Sequence, residues 1–321
     1  MSLISRRFAA ACVAVTMAIS PVAAQELEDL TLTAPAGAGG GWDSLARSLQ
    51  ETMMKIGTAK SVQVMNVPGA GGTVGLAQFS QQSASSPDQV LVGGITMVGA
   101  IITNKAPVSL TDVTPIARMT GDPLVVVVPK DSPIQSIADL SAKIKEDVAG
   151  TIWAGGSAGG ADHILAALIT EASGGDPSKV NYVAYSGGGE ALAAMLGGQV
   201  TAGISGYGEW QGQIESGDLR ALAISYPDPI EGIDAQPLKA QGIDVELVNW
   251  RGLFAGKDIA DADKAALAAA IETTVKSPEW QETLTARGWT DYYAPADEFA
   301  TFVASENERV HAVLKSIGLA E

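Results

Sequence analysis

Leu32-Thr-Ala-Pro-Ala-Gly-Ala-Gly-Gly-Gly-Trp-Asp43 reads as the end of a strand, a glycine loop and the start of a helix. Thr31 to Ala34 is apolar and β-prone. Leu45, Leu49 and Met53 then repeat at helical spacing, with Asp43 as the N-cap or first-turn acid. Gly37, Gly39, Gly40 and Gly41 carry no Cβ, so backbone N–H groups can approach another molecule closely. A helix start adds unpaired donors and roughly half a positive charge, a setting suited to an anion.

Similar strand–glycine–helix units recur along the chain. Val62–Asn66 leads into Pro68-Gly-Ala-Gly-Gly-Thr-Val-Gly75, and Gln89–Gly94 leads to Thr96 and Met97. Thr151–Ala154 leads into Gly155-Gly-Ser-Ala-Gly-Gly160, Val180–Ala184 into Tyr185-Ser-Gly-Gly-Gly189, and Thr201–Ser205 into Gly206-Tyr-Gly208. Strands alternating with helices imply parallel sheets, whose ligands sit off the strands' carboxyl ends. Two further extended stretches, Thr114–Arg118 and Pro123–Pro129, precede the second group of units, and Leu219–Ile224 follows it. The expected fold class is α/β. It is expected to have two lobes, each a mostly parallel sheet flanked by helices. Residues 25–122 plus 228–321 form lobe 1 and residues 123–227 form lobe 2, with Leu124–Pro129 and Leu219–Ile224 as the crossovers. Asp261–Val275 and a final helix from about Asp297 complete lobe 1, the last bearing the stripe Phe299, Phe302, Val303, Val310, Val313, Leu314 and Ile317.

Composition narrows the function. The chain has 321 residues, 46% of them hydrophobic and 17% charged, with a formal net charge of −16. That charge argues against nucleic acid, whose binders carry a basic face. It also means that an anionic ligand must be held by local donors rather than a broad positive field. Arg6 and Arg7 precede the apolar run Phe8–Ile19, and Val22-Ala-Ala24 suits a signal peptidase, so residues 1–24 read as a cleaved signal peptide of a protein exported to the periplasm. The run is shorter than the about 20 apolar residues a membrane span needs. The single cysteine, Cys12, falls inside it. With two distant histidines and no mature cysteine, no metal site or other cofactor is expected.

Each loop also admits a plainer reading. Gly37–Asp43 could be a tight turn, with Asp43 a structural cap and Trp42 either core or cleft wall. Pro68–Gly75 misses the dinucleotide spacing, since Val74 stands where the last glycine should be, and no Gly-Lys-Ser/Thr occurs. Gly155-Gly-Ser-Ala-Gly159 satisfies G-x-S-x-G between a strand and a helix, so a serine esterase with Ser157 as nucleophile is a rival function. Its base would have to be His163 or His311. His163 lies on the helix directly after the serine, where an elbow's base does not originate. Arg47, Arg118 and Arg251 read as structural ion-pairing residues.

Taken together, Gly39-Gly-Gly-Trp-Asp43, Asn66-Val-Pro-Gly-Ala-Gly-Gly72, Gly155-Gly-Ser-Ala-Gly-Gly-Ala-Asp-His163, Ser186-Gly-Gly-Gly-Glu-Ala191, Leu196-Gly-Gly-Gln-Val200, Leu219-Arg-Ala-Leu-Ala223 and Trp250-Arg-Gly252 are similar to a known pattern. The chain, from about Leu30 to Leu319, resembles the extracytoplasmic solute receptors of tripartite tricarboxylate transporters, the TctC-like or Bug-type proteins. The resemblance implies a two-lobed, type II periplasmic-binding-protein-like fold and a non-enzymatic, monomeric receptor. It would close on a small carboxylate, such as citrate or another tricarboxylate, and dock to a large and a small membrane permease subunit. A periplasmic sensor signalling to a membrane partner would bind the same ligand.

The candidate ligand contacts are Ala38, Gly39, Gly40, Trp42 and Asp43 in the first loop and Pro68, Gly69, Ala70, Gly71 and Gly72 in the second. Thr96 follows the third strand. Ser157, Ala158, Gly159, His163, Ser186, Gly187, Gly188, Ser205 and Tyr207 stand opposite. Hydrogen bonds to charged groups contribute about 1.5–3 kcal/mol each, and micromolar binding needs about −8 kcal/mol net. A handful of such bonds suffices, so no arginine is required by this arithmetic.

Overall fold

The computed structural model describes residues 26–185 and 187–321. The signal peptide expected over residues 1–24 and the candidate contact Ser186 lie outside the described residues.

In chain order the elements are β1 (Leu27–Ala34), α1 (Gly41–Ile56), β2 (Ala59–Asn66), α2 (Thr73–Gln82), β3 (Gln89–Gly94), α3 (Ile95–Thr103), β4 (Val113–Pro129), α4 (Ile137–Glu146), β5 (Ile152–Gly155) and α5 (Ala161–Ala172). There follow β6 (Asn181–Ala184), α6 (Gly188–Leu196), β7 (Ala202–Gly206), α7 (Tyr207–Glu215), β8 (Leu219–Ile224), β9 (Val248–Gly256), α8 (Asp261–Val275), α9 (Pro278–Arg287), β10 (Thr290–Pro295) and α10 (Ala296–Ser316). The fold is α/β, and its strands run in the order β2-β1-β3-β9-β4-β7-β5-β6, with β8 and β10 also paired to β4.

Two parallel triplets hold the glycine loops. β1 pairs in parallel with β2 and β3, and β5 with β6 and β7. The strands joining the triplets are antiparallel: β9 to β3 and β4, and β4 to β7, β8 and β10. Thr114–Arg118 and Pro123–Pro129, expected as separate stretches, are one 17-residue strand. Pro115 and Pro123 cannot donate to a ladder, and the β4–β9 register shifts between Pro115 and Ala117 and again between Arg118 and Thr120. β4 changes partners midway, with Val113–Pro123 facing β9 and Leu124–Pro129 facing β7 and β8.

The unbroken apolar run of β4 follows from burial on both faces. Leu124, Val126 and Val128 belong to the larger core, while Val125 and Val127 join a second core with Met195, Tyr207 and Trp210. Each such side chain contributes about 1.5–3 kcal/mol of burial. Leu219–Ile224, expected to be the return crossover, pairs alongside Val125–Pro129 instead, and the chain re-enters the first sheet at β9. Buried Ser225 closes this junction. Its N–H donates to the Leu124 carbonyl at 2.9 Å and its hydroxyl to the Leu247 carbonyl at 2.5 Å.

α1 buries Leu45, Leu49 and Met53 and stops at Gly57, whose φ of 76° caps the helix through the Met53 carbonyl. α3 gives no amphipathic signal because Ile95–Thr103 is apolar nearly throughout, as suits a helix between layers. On α10, Phe299, Val303, Val310 and Leu314 are buried. Buried Glu306 pins this helix by accepting from Trp250 Nε1 at 2.8 Å and from Arg309 at 2.6 and 2.8 Å. Among the described residues no helix is long and apolar enough to cross a membrane.

Candidate functional site

The carboxyl ends of both parallel triplets open onto one cleft of about 690 Å³. Its first wall is Pro35–Gly37 and Gly40–Trp42 after β1, with Pro68–Gly72 after β2 and Thr96 at the start of α3. The facing wall is Gly156–Ala158 and Gly160–Asp162, then Ala184, Tyr185, Gly187, Gly188 and Glu190, then Ser205, Gly206 and Glu209. Asn249 and Arg251 of β9 lie between them.

The first wall is braced by Asp43. The helix is capped by Gly40, with no side-chain bond, and Asp43 sits in the first turn. Its carboxylate accepts from the Gly39 N–H at 2.8 Å, Arg47 Nε at 3.0 Å and Asn66 Nδ2 at 2.9 Å. Burial alone would raise this carboxyl, but the bonds from Arg47, Gly39 and Asn66 outweigh it and hold the group below the usual range. In the second loop, Gly69, Ala70, Gly71 and Gly72 all have positive φ. A Cβ on Gly72 would stand 2.7 Å from the Trp42 ring, and one on Gly71 would stand 2.5 Å from Ala100 Cβ. Trp42 is therefore both core and wall, at 9% exposure.

The facing wall uses Asp162 and His163 in the same way. The Gly156 N–H donates to Asp162 Oδ2 at 2.7 Å, and the Gly159 N–H donates to His163 Nδ1 at 3.1 Å. The imidazole stacks on Tyr182 with centroids 4.2 Å apart, and Tyr182 donates to the Gly156 carbonyl at 2.9 Å. Burial pushes His163 down to about 4. The walls touch where Thr96 Oγ1 accepts from the Ala161 N–H at 3.3 Å and where Gly99 packs on the Gly159 carbonyl, which a Cβ there would meet at 1.9 Å.

Of the candidate contacts, Gly40, Trp42, Pro68, Gly69, Ala70, Gly71, Gly72, Thr96, Ser157, Ala158, Gly187, Gly188 and Ser205 line the cleft. Ala38, Gly39, Asp43, Gly159, His163 and Tyr207 do not. The Gly39 and Gly159 N–H groups are taken by Asp43 and His163, and Tyr207 is buried in the second core. His163, acting as an acceptor within its own loop, is not presented to Ser157 as a base.

Charged residues at the cleft were not among the candidates. Arg251, 3% exposed, ion-pairs with Asp122, 1% exposed, in the middle of the molecule. Burial raises the Asp122 carboxyl while Arg251 opposes the rise. Asp162 is pushed up to about 7, first by burial and then by neighbouring Glu209 and Asp122. Glu209 is likewise raised by burial and by Asp122, although its exposed surface faces the cleft. The available signal was local: Trp250-Arg-Gly252 sets a cation inside an apolar strand, and Asp162 stands two residues after the last glycine of its loop. No group of three or more His, Cys, Asp or Glu among the described residues is placed to hold a metal ion.

The family model described as the tripartite tricarboxylate transporter family receptor matches residues 45–319. A UPF0065 protein from the TAR-I ttuE-ttuC' intergenic region of Agrobacterium vitis is 27% identical, the match covering 99% of this chain and 93% of that one. The structure is similar to that of MatC from Rhodopseudomonas palustris with bound malate, at 22% identity and a TM-score of 0.77 over 92% of this chain and 100% of that one. It is also similar to R. palustris Rpa4515 with adipate, at 21% identity and a TM-score of 0.81 over 91% and 98%. The structure of the periplasmic binding protein BugD is similar as well, at 22% identity and a TM-score of 0.81 over 91% of this chain and 98% of that one, so the chain shares the fold of these proteins.

Proposed function

The chain belongs to the tripartite tricarboxylate transporter receptor family, and on that premise we propose that it captures a small carboxylate in the cleft between its two glycine-loop walls. The observation that carries this reading is the convergence of loops from both parallel triplets on one cavity. Malate and adipate in the two R. palustris structures indicate the ligand class. Gly40, Gly69–Gly72 and Thr96 hold one end of the ligand, and Ser157, Ala158, Gly187, Gly188 and Ser205 the other. Residues 25–122 plus 228–321 and residues 123–227 act as lobes. They hinge where β4 changes partners between Pro123 and Leu124 and where Ser225 ties the returning chain. A ligand that contacts both walls stabilises the closed arrangement.

The mature protein works in the periplasm and hands its ligand to large and small permease subunits. The esterase alternative is disfavoured by His163, whose ring accepts from Gly159 and stacks on Tyr182. A thermal-shift screen over mono-, di- and tricarboxylates tests the function. Ligand at about 100 times its Kd stabilises a one-site receptor by about 2.7 kcal/mol, so at least one carboxylate raises Tm by several degrees. A full panel without a shift contradicts the proposal.

A further inference from the structure

We propose that Asn104, which caps the end of α3, is a positioning residue of the cleft: it holds the Gly69–Gly72 turn in a left-handed backbone shape ready for the ligand. The inference rests on the reading of the cleft as the ligand site and deepens it. Among the described residues two that are not glycine have positive φ, Ala70 at 46° and Lys105 at 48°. They flank one hydrogen bond, from Asn104 Nδ2 to the Ala70 carbonyl at 3.1 Å. In this region of backbone space a Cβ crowds the following carbonyl oxygen, so an alanine relaxes unless its surroundings hold it.

Both sides of the contact are built for it. α3 ends abruptly after Asn104. The left-handed Lys105 donates its N–H to the Ile102 carbonyl at 3.2 Å and brings the Ala106 N–H to the Ile101 carbonyl at 3.0 Å, a helix stop where glycine is usual. Ala100 stands one turn before Asn104 on the same face, and a Cβ on Gly71 would meet its Cβ at 2.5 Å. α3 therefore seats the turn twice, by close packing at Gly71 and by a hydrogen bond at Ala70. The Ala70 carbonyl also accepts from Thr73 Oγ1 at 3.0 Å and from the Thr73 N–H. Those donors move with the loop, whereas Asn104 ties it to another helix. A trans peptide sets its C=O and N–H in opposite directions, so fixing the Ala70 carbonyl fixes the aim of the Gly71 N–H. Ala70, Gly71 and Asn104 all line the cleft. Strain gathered at one contact beside a ligand cleft keeps the turn in its binding shape beforehand and leaves less ordering to the binding step.

Calorimetric titration of the purified mature chain and its Asn104→Ala variant with malate, adipate and citrate tests the inference. Asn104 is exposed, so the variant melts within a few degrees of wild type. It binds the tightest of the three acids about tenfold more weakly, the size of one lost hydrogen bond. Adding Ala70→Gly recovers most of that loss, because glycine holds positive φ without strain and needs no brace. Amide hydrogen exchange without ligand gives an independent reading. In Asn104→Ala the Gly72 and Thr73 N–H groups, bonded to the Gly69 and Ala70 carbonyls, exchange faster than in wild type, and Ala70→Gly slows them again. Unchanged affinity in Asn104→Ala overturns the inference, as does unchanged exchange at both amides. A loss that Ala70→Gly leaves unrepaired overturns it too, in favour of direct contact between Asn104 and the ligand. Failure of all three acids to bind the wild type counts against carboxylate capture, and the exchange rates then decide the brace by themselves.

Discussion

Asn66 at the end of β2 donates to Asp43 Oδ1 at 2.9 Å and to the Ala36 carbonyl at 3.1 Å, so the second strand's end holds the first strand's loop. The two glycine loops on this side of the cleft are one braced unit. Asp43 is 2% exposed and carries three hydrogen bonds, which fixes the path of Gly37–Gly41 without touching the cleft itself.

Replacing Asp43 by alanine leaves the Gly39 N–H and the Asn66 amide without their acceptor. Gly39 is exposed and Asn66 half-buried, so water replaces part of what is lost; at about 0.5–1.5 kcal/mol net per hydrogen bond the variant loses about 1–3 kcal/mol in urea unfolding. Asp43 has a depressed folded pKa, so the stability it contributes is present above the unfolded value of 3.8 and is lost as pH falls through its folded value. Unchanged stability in the alanine variant contradicts the bracing role.

His163 is held neutral by burial, with a value of about 4 against 6.5 in a free chain. The unfolded chain takes up a proton first on acidification, so stability tied to this residue is present above pH 6.5 and declines as pH falls toward 4. An NMR titration of the imidazole places its midpoint near 4. A midpoint near 6.5 means that the ring does not sit against Tyr182 with Nδ1 bonded to Gly159.

The Asp122–Arg251 pair lies beneath the cleft, beside Gly41 and Gly206, whose absent side chains make room for it. Arg251→Met strands a buried carboxylate, and breaking such a pair costs about 3–5 kcal/mol. Adding Asp122→Asn recovers part of that loss. A double-mutant cycle on urea unfolding reads the coupling directly, and additive losses contradict a paired charge.

The glycine loops were legible in sequence because their signal is local: a β-prone run, residues without Cβ, then helical spacing. Gly71 and Gly72 need positive φ and close approach to Ala100 and Trp42, and only glycine permits both. The course of Val113–Pro129 was not legible. Gly121, Asp122 and Pro123 read locally as a break, and only the change of partner from β9 to β7 and β8 explains why the strand continues. The charged groups of the cleft stayed hidden for a related reason. Asp162, Glu209 and Arg251 sit on α5, α7 and β9, separated by tens of residues and brought together by topology. Asp43 was legible as a helix-start acid, but its reach back to Gly39 and across to Asn66 depends on the β1–β2 pairing.

The central claim is that loops from opposite triplets share one ligand, and Gly187 gives the most direct test. It lines the cleft, has extended φ of 166°, and a Cβ there meets nothing within 4 Å. Gly187→Leu therefore adds bulk at the cleft wall through a Cβ that meets no protein atom. In calorimetric titration with the carboxylate that most raises the wild-type Tm, the wild type binds one equivalent at micromolar Kd. The variant, melting within a few degrees of wild type, binds at least tenfold more weakly. Equal affinity in the two proteins places the ligand elsewhere and contradicts the account.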